Sequence, residues 1–197
     1  MITVLITGFG RFPGAPFNPS GPLALALAKR RRPALASVSR VAHIFATSYA
    51  AVDRDLPKLL ARHRPDIVLM FGLAGRTPFV RVETRARNAV SVLFPDVDGH
   101  IPPGRAIAPG GAAFQRGRAP FVRLVAAARS ARVSARPSRD AGRYLCNYVY
   151  WRTLEATSRS GTLAQFVHIP GNRRIGHAAV VRAGEAILLA LIAAQRR

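Results

Sequence analysis

Residues 66–75 read Asp-Ile-Val-Leu-Met-Phe-Gly-Leu-Ala-Gly, and this stretch decides the fold class. The apolar run that follows the aspartate, up to residue 71, is typical of a strand buried on both faces. Residues 72–75 then form a glycine-containing turn at the carboxyl end of the strand, where α/β proteins commonly place their sites. We therefore expect an α/β domain with its functional site at this edge of the sheet.

The segments on either side alternate between short apolar runs and amphipathic stretches, as in a domain that packs helices on a sheet. Further strands are predicted over 2–7, 38–45, 79–87 and 163–169, with a short one near Val133. Helices are predicted over 21–31, 49–63, 121–130, 142–156 and 175–195. Ser20 and Asp140 are the expected caps of the first and fourth helices. Residues 95–120 are predicted to be a loop, which at this length is functional or mobile.

The length and the apolar content bound the class of protein. The chain has 197 residues, 49% of them hydrophobic, which is enough for one sizeable core. We see no repeat and no linker, so we expect a single domain over 1–197. No basic leader precedes the first apolar run, and the longest apolar run, 186–194, is about half a membrane span. We therefore expect a cytoplasmic protein that does not enter a membrane.

The charge is strongly positive, at +21, with 30 basic residues against nine acidic ones. Such a balance raises the possibility of nucleic-acid binding, which needs clustered cations. Lys29 and Lys58 are the only lysines, and the other 28 basic residues are arginines spread along the chain. The two small clusters, 29–32 and 196–197, do not alternate with aromatic residues that could stack on bases. The distribution therefore argues against nucleic acid as the main partner.

Cys146 is the only cysteine, so neither an intramolecular disulfide nor a zinc site of several thiolates can form. A helix starting near residue 142 would place its sulfur in the first turns. There the helix dipole and the free backbone N–H groups stabilise a thiolate, and the same groups can bind a developing oxyanion. Cys146 is therefore a candidate nucleophile.

His168 and Glu83 are candidate partners for that nucleophile. His168 ends an apolar strand just before Pro170, where a general base could reach the edge of the sheet. Glu83 lies in an alternating strand and could orient the histidine. Each residue also has a purely structural interpretation: a core cysteine, a histidine hydrogen-bonded at a strand end, and a solvated glutamate. Composition and spacing alone favour those structural interpretations, because spacing does not show that the three residues meet.

Five motifs in register resemble pyroglutamyl peptidase I, the pyrrolidone-carboxylate peptidases of family C15. They cover most of the chain, from residue 2 to about residue 170. They are Thr7-Gly8-Phe9-x-x-Phe12 with Asn18-Pro19-Ser20, Pro65–Val68 with Gly72-x-Ala74-Gly75 and Glu83-x-x-x-x-Asn88, Pro95-Asp96-x-x-Gly99 with Gly110–Ala113, Ser138-x-x-Ala141-Gly142-x-Tyr144-Leu145-Cys146-Asn147, and Phe166-x-His168-Ile169-Pro170.

The resemblance implies a three-layer α/β/α sandwich with a mixed, mostly parallel sheet, often assembled as a homotetramer. It implies removal of an N-terminal pyroglutamyl residue from blocked peptides, without metal or cofactor, through a thioester. Cys146 would attack the carbonyl, His168 would transfer the proton and Glu83 would orient His168. The implied substrate-binding residues are Phe9, Phe12, Asn18 and Leu73. The aromatic rings of Phe9 and Phe12 would hold the lactam.

The chain departs from the family pattern around the substrate. Arg11 and Pro13 replace a proline and a glycine of the opening motif, and Leu73 replaces a glutamine. Leu93 stands where the family has an arginine, and Tyr148 where it has a histidine. Two alternatives therefore stay open: a hydrolase with the same triad acting on another N-capped peptide or small amide, and a basic binding protein that no longer catalyses.

Overall fold

The elements of the chain are seen in a computed structural model that describes residues 1–12, 15–171 and 175–196. The strands in this part are β1 Ile2–Phe9, β2 Val38–Phe45, β3 Ile67–Leu73, β4 Val80–Glu83, β5 Arg85–Arg87, β6 Phe114–Arg116, β7 Ala135–Ser138 and β8 Leu163–Ile169. The helices are α1 Ser20–Lys29, α2 Tyr49–His63, α3 Phe121–Ser130, α4 Leu145–Ala156 and α5 His177–Gln195, with a short 3-10 helix at Pro33–Leu35.

The main sheet has six strands in the order β2-β1-β3-β8-β4-β7. The first four are mutually parallel, β4 runs antiparallel to β8, and β7 is parallel to β4. The predicted mixed and mostly parallel sheet is therefore confirmed. In the register of β3 and β8, Gly72 lies beside His168, so the turn region singled out in the sequence is part of a strand next to that histidine.

The two faces of the sheet bury two separate hydrophobic cores. Val4 and Ile6 of β1 pack into the core that also holds the apolar residues of α1, α3 and α5. Leu5, between them, points to the opposite face and joins the core that α2 and α4 cover. This alternation follows from the period of two in a strand. The three-layer α/β/α arrangement is thus confirmed.

The predicted strand over 79–87 is two strands, which corrects the sequence interpretation. Thr84 ends the pairing with β7, since both its N–H and its hydroxyl donate to the carbonyl of Ser138. β5 lies outside the main sheet and pairs antiparallel with β6. The strand β6 itself lies inside the stretch 95–120, which was predicted to be a loop. An alternating pattern is compatible with either arrangement, because both pieces are half-buried strands.

Both predicted helix caps are wrong. Ser20 is the first residue of α1, and its hydroxyl accepts the N–H of Phe9 while Asn18 accepts the N–H of Ser20. The helix that carries Cys146 begins at Leu145, not near residue 142, and Asp140 instead accepts the N–H of Gly142. Gly142 has a φ of +85°, a left-handed conformation that favours glycine and delays the helix. The short strand predicted near Val133 is β7, two residues further on.

By length and composition, α5 is the one helix of the described residues that could cross a membrane, with a mean hydropathy of 1.7. That test is weak, because the core helix of a soluble protein passes it too. Val180, Ile187 and Leu191 of α5 are buried in the core that α1 and α3 share. The apolar face of α5 is accounted for by packing on the sheet.

Candidate active site

Cys146 is the second residue of α4, and the start of this helix carries no side-chain cap. The first backbone bond of the helix runs from the N–H of Tyr148 to the carbonyl of Tyr144. Within the described residues, the N–H groups of Leu145, Cys146 and Asn147 have no acceptor. Free N–H groups at a helix N-terminus stabilise anions, so this end of α4 offers donors to an oxyanion formed beside Cys146.

The buried side chain of Asn147 anchors this helix end to the neighbouring strand. Its Oδ1 accepts the N–H of Arg87 at 2.8 Å, and its Nδ2 donates to the carbonyls of Arg87 and Ala89. Because all three bonds are to backbone, they fix the position of the residue next to Cys146. The sequence motif contained Asn147, but the spacing gave no sign that it holds α4 to β5.

Gly72 makes room for the sulfur. A Cβ at this position would lie 2.6 Å from Cys146 Sγ and 2.7 Å from Cζ of Phe166. Real side chains do not approach so closely, so any other residue would displace the sulfur or the ring. The glycine predicted to form a turn therefore permits the close approach of β3 to the sulfur of Cys146.

His168 and Glu83 meet on the face of the sheet that α4 covers. Nδ1 of His168 lies 2.8 Å from Oε1 of Glu83. Glu83 is fully buried, which contradicts its interpretation as a solvated strand charge. With Nδ1 occupied, Nε2 is the ring nitrogen left for Cys146, which lines the same cavity as His168. The backbone carbonyl of Glu83 is itself held by Tyr150 and Gln165.

The pKa of His168 reflects its burial and its two neighbours, Cys146 and Glu83. Burial by itself lowers the pKa, but the charge and hydrogen bond of Cys146, together with those of Glu83, outweigh it and raise the pKa from 6.5 to about 9. An opposite charge close to a buried imidazole favours its protonated form. The raised pKa favours the protonated imidazolium form of His168 at neutral pH.

Arg81 is a member of the site that the sequence did not reveal. It lies two residues before Glu83 on β4, so both side chains share one face. Its Nη2 is 3.1 Å from Glu83 Oε1, and it also donates to Ser138 Oγ at 2.9 Å and to the carbonyl of Asp140. Arg81 thus balances the buried carboxylate and ties it to the turn that precedes Cys146. The period of two from Glu83 was the only sequence signal available.

A cavity of about 170 Å³ opens beside Cys146 and His168. All four candidate substrate-binding residues line it: Phe9, Phe12, Asn18 and Leu73. Thr47 and Tyr144, which were not predicted, also line it. Asn18 uses its amide within its own loop, since Nδ2 donates to the carbonyl of Gly10 and Oδ1 accepts from Ser20. It shapes the wall of the cavity, and its direct contact with a substrate stays a prediction.

The other departures from the family pattern lie elsewhere. Tyr148 is buried beneath α2, where its hydroxyl lies 2.8 Å from both carboxylate oxygens of Asp53. Leu93 is 77% exposed and lines a neighbouring cavity. Arg11 is exposed, and Pro13 lies outside the described residues. Among the departures that the structure describes, Leu73 is the one that lines the cavity beside Cys146 and His168. Across the described ranges, no group of three or more His, Cys, Asp and Glu side chains is arranged to hold a metal ion.

Comparisons with known proteins identify the family of the chain. The family model described as pyroglutamyl peptidase matches residues 2–181. A pyrrolidone-carboxylate peptidase of Thermococcus onnurineus is 33% identical over 85% of this chain and 82% of the relative. One from Clavibacter michiganensis is 36% identical over 86% of this chain and 79% of the relative.

Solved structures show the same fold. The crystal structure of Bacillus amyloliquefaciens pyroglutamyl peptidase I superposes with a TM-score of 0.89 at 25% identity, covering 99% of this chain and 98% of that one. The pyrrolidone carboxyl peptidase of Thermococcus litoralis gives a TM-score of 0.90 at 25% identity, over 98% and 94% of the two chains. On the family match, the identities and the fold, the chain belongs to the pyroglutamyl peptidase family and is an enzyme of the cysteine omega-peptidase class.

Proposed function

We propose that this enzyme removes the N-terminal pyroglutamyl residue from peptides, with Cys146 as nucleophile, His168 as proton carrier and Glu83 as the residue that orients His168. The observation that carries the proposal is the meeting of Cys146, at an uncapped helix N-terminus, with a buried His168–Glu83 pair in one small cavity. The names of the relatives, all pyrrolidone-carboxylate peptidases, support the substrate.

The walls of the cavity suit a lactam ring. Phe9 and Phe12 supply aromatic faces, and none of the lining residues carries a carboxylate that would attract a free amine. A flat, uncharged group without an ammonium is thus favoured over an ordinary N-terminus. About 170 Å³ accommodates a small ring and its carbonyl, and it leaves the rest of the peptide outside.

The first half of the reaction forms a thioester. The Cys146 thiolate attacks the carbonyl carbon of the pyroglutamyl residue, and the electron pair of the C=O bond moves to oxygen. The free N–H groups at the start of α4 stabilise that oxyanion. When the intermediate collapses, the C–N bond breaks and His168 gives its Nε2 proton to the leaving amine.

The second half restores the enzyme. His168, now neutral, takes a proton from a water molecule as that water attacks the thioester carbon. Breaking the C–S bond releases pyroglutamic acid and returns the thiolate–imidazolium pair. Glu83 keeps its bond to Nδ1 throughout, which fixes the tautomer with Nε2 directed to the reacting atoms. Neither half requires a metal or a cofactor.

Leu73 motivates a second candidate. It lines the cavity at the position where the family usually has glutamine, so an apolar side chain stands there in place of a polar one. A hydrolase with the same triad and another N-capped peptide or small amide as its substrate would fit that change. Comparing Leu73→Gln with the wild type tests it, because restored polarity would improve a pyroglutamyl reporter only if the lactam occupies this cavity.

The deciding experiment is hydrolysis of a fluorogenic pyroglutamyl amide by the wild type and by Cys146→Ala. We expect turnover by the wild type and a loss on the order of 10⁴-fold or more in the variant. Circular dichroism and thermal unfolding should be nearly unchanged, because the thiol is partly exposed and its removal opens no deep cavity. If the folded wild type shows no turnover but its Cys146 is still alkylated, the proposed triad would stand and the proposed substrate would be wrong. If Cys146 does not alkylate and nucleic acid binds tightly with steep salt dependence, the chain is a basic binding protein instead.

A cytoplasmic location and a homo-oligomer belong to the same proposal. Burial of the apolar face of α5 in the core supports a protein that stays out of the membrane. Cell fractionation tests the location, and analytical ultracentrifugation tests the assembly.

A further inference from the structure

A second, larger cavity adjoins the catalytic one. Its volume is about 440 Å³, and it shares Arg143 and Tyr144 with the cavity that holds Cys146. The remaining lining residues come from the segment after β5 and from Arg105: Val90, Ser91, Val92, Leu93 and Phe94. Because the catalytic cavity has room for little more than the lactam, the part of a substrate beyond the scissile bond must lie outside it.

One wall of this second cavity is apolar and lacks a partner. Leu93 is 77% exposed and Phe94 is 63% exposed, although both are large hydrophobic side chains. The wall is held in place rather than loose. Val90 donates its N–H to the carbonyl of Arg105, and Tyr144 donates its hydroxyl to the carbonyl of Pro95, the residue after Phe94. An ordered apolar wall beside a catalytic cavity suits a side chain of a bound ligand.

The same cavity carries two positive charges and no negative one. Neither Arg105 nor Arg143 pairs with a carboxylate among the described residues. Asp140, three residues before Arg143, pairs with Arg87 instead. The carboxylate of Asp96, two residues after Phe94, accepts hydrogen bonds from the backbone N–H groups of Tyr49, Asp98 and His100 instead. Two free guanidinium groups next to an apolar wall favour a ligand that has both an apolar side chain and a carboxylate.

We propose that this cavity is the subsite for the residue after the scissile bond, and that it selects pyroglutamyl dipeptides whose second residue is apolar and whose free carboxylate binds Arg105 and Arg143. The apolar wall takes the side chain, so the carboxylate is that of the chain terminus. In a dipeptide the carboxylate lies one residue beyond the scissile bond, within the span of two adjoining cavities. The proposal rests on the proposed function and names its substrate class.

The test compares pyroglutamyl-leucine with pyroglutamyl-leucine amide, which differ only in the terminal carboxylate. We expect kcat/KM for the free acid to exceed that for the amide by about tenfold, since exposed charge pairs contribute up to about 1 kcal/mol each. The ratio should fall about threefold in Arg105→Gln and approach one in the double variant Arg105→Gln/Arg143→Gln. Arg159→Gln, an exposed arginine in the turn before β8, is the matched control and should leave both rates unchanged.

The outcomes separate the two proposals. Hydrolysis of both compounds at equal rates, or a preference that survives the double variant, would overturn the subsite and leave the proposed function intact. If the folded wild type hydrolyses neither compound nor a fluorogenic pyroglutamyl amide, both proposals fail. Should Arg143→Gln disturb the helix that carries Cys146, Arg105→Gln alone still decides, because Arg105 lies on a separate segment.

Discussion

The helices α2 and α4 cover the same face of the sheet, yet their N-termini are built in opposite ways. The start of α2 is closed: Ser48 Oγ accepts the N–H of Ala51, and Asp96 accepts the N–H of Tyr49 at 2.9 Å. The start of α4 has neither a capping side chain nor an acidic residue in its first turn. One helix end thus binds an anion that belongs to the protein, and the other leaves its donors free.

The difference shows how the chain divides stability from function. An aspartate at a helix N-terminus satisfies the free N–H groups and the dipole, and it anchors the loop that starts at Asp96. The same groups at α4 have no acceptor, at some cost in helix stability, and in the proposed mechanism they would bind the oxyanion. We therefore expect changes around α4 to reduce activity with little effect on folding, and changes at α2 to do the reverse.

The largest effect expected from the supporting residues is that of Glu83→Gln. The amide keeps the shape but removes the charge that, in the proposed mechanism, orients His168 and stabilises its imidazolium, so kcat/KM should fall on the order of 10³-fold. The measurement is steady-state hydrolysis of a pyroglutamyl amide. Glu155→Gln, an exposed glutamate on α4, is the control and should behave as wild type. Near wild-type activity in Glu83→Gln would show that the charge of Glu83 is not needed for catalysis.

Gly72→Ala tests the close approach of β3 to the sulfur. Its Cβ would overlap Cys146 Sγ and Phe166, and displacing a reacting atom by about 1 Å can cost about 10²-fold in rate. The chain offers Gly161→Ala as a control, since a Cβ there meets nothing within 4 Å. Turnover and iodoacetamide alkylation should both slow in Gly72→Ala. An unaffected enzyme would show that the sulfur does not need this space.

The pH dependence follows from the raised pKa of His168. In the proposed mechanism the leaving amine takes its proton from the imidazolium, so kcat/KM should fall about tenfold per pH unit above the pKa of about 9. Glu83→Gln removes one of the causes of the raised pKa and should move this limb to lower pH. The stability linked to His168 is fully present below pH 6.5 and is lost as the pH rises to about 9. A basic limb near pH 6.5 in the wild type would contradict the assignment.

The smallest effect belongs to the closed helix. Ser48→Ala removes the side-chain cap of α2 and should lower the free energy of unfolding by about 1 kcal/mol, as measured by urea denaturation. The kcat of the variant should stay at the wild-type level, because α2 contributes no catalytic group. A loss of activity at unchanged stability would contradict the claim that the start of α2 serves stability and the start of α4 serves activity.

The elements that the sequence predicted well are those with strong local patterns. The bounds of β2, α2 and β8 agree with the prediction, because their apolar periodicity is continuous over seven or more residues. Ser20 and Asp140 failed as caps since both bond to backbone outside the helix that they were expected to cap. Local spacing does not show whether such a side chain caps the helix or bonds to backbone outside it.

The site was predictable only in part for the same reason. The resemblance placed Cys146, His168 and Glu83 in one centre, whereas spacing alone did not. The sequence did not reveal Arg81 and Gly72, because their roles depend on contacts between segments far apart in sequence. Arg81 contacts Ser138 at the end of β7 and the carbonyl of Asp140 in the turn after it, and Gly72 contacts a sulfur on α4. Such contacts become visible only when the register of the strands is known.

The most direct test of the central claim is to trap the acyl-enzyme. The wild type is mixed with a pyroglutamyl nitrophenyl ester, whose fast acylation makes deacylation limiting, and the reaction is quenched in acid for mass spectrometry. The account predicts a burst of one nitrophenol per chain and one pyroglutamyl group on the peptide that contains Cys146, with neither in Cys146→Ala. A wild type that shows no burst, or an acyl group on any other residue, would contradict it.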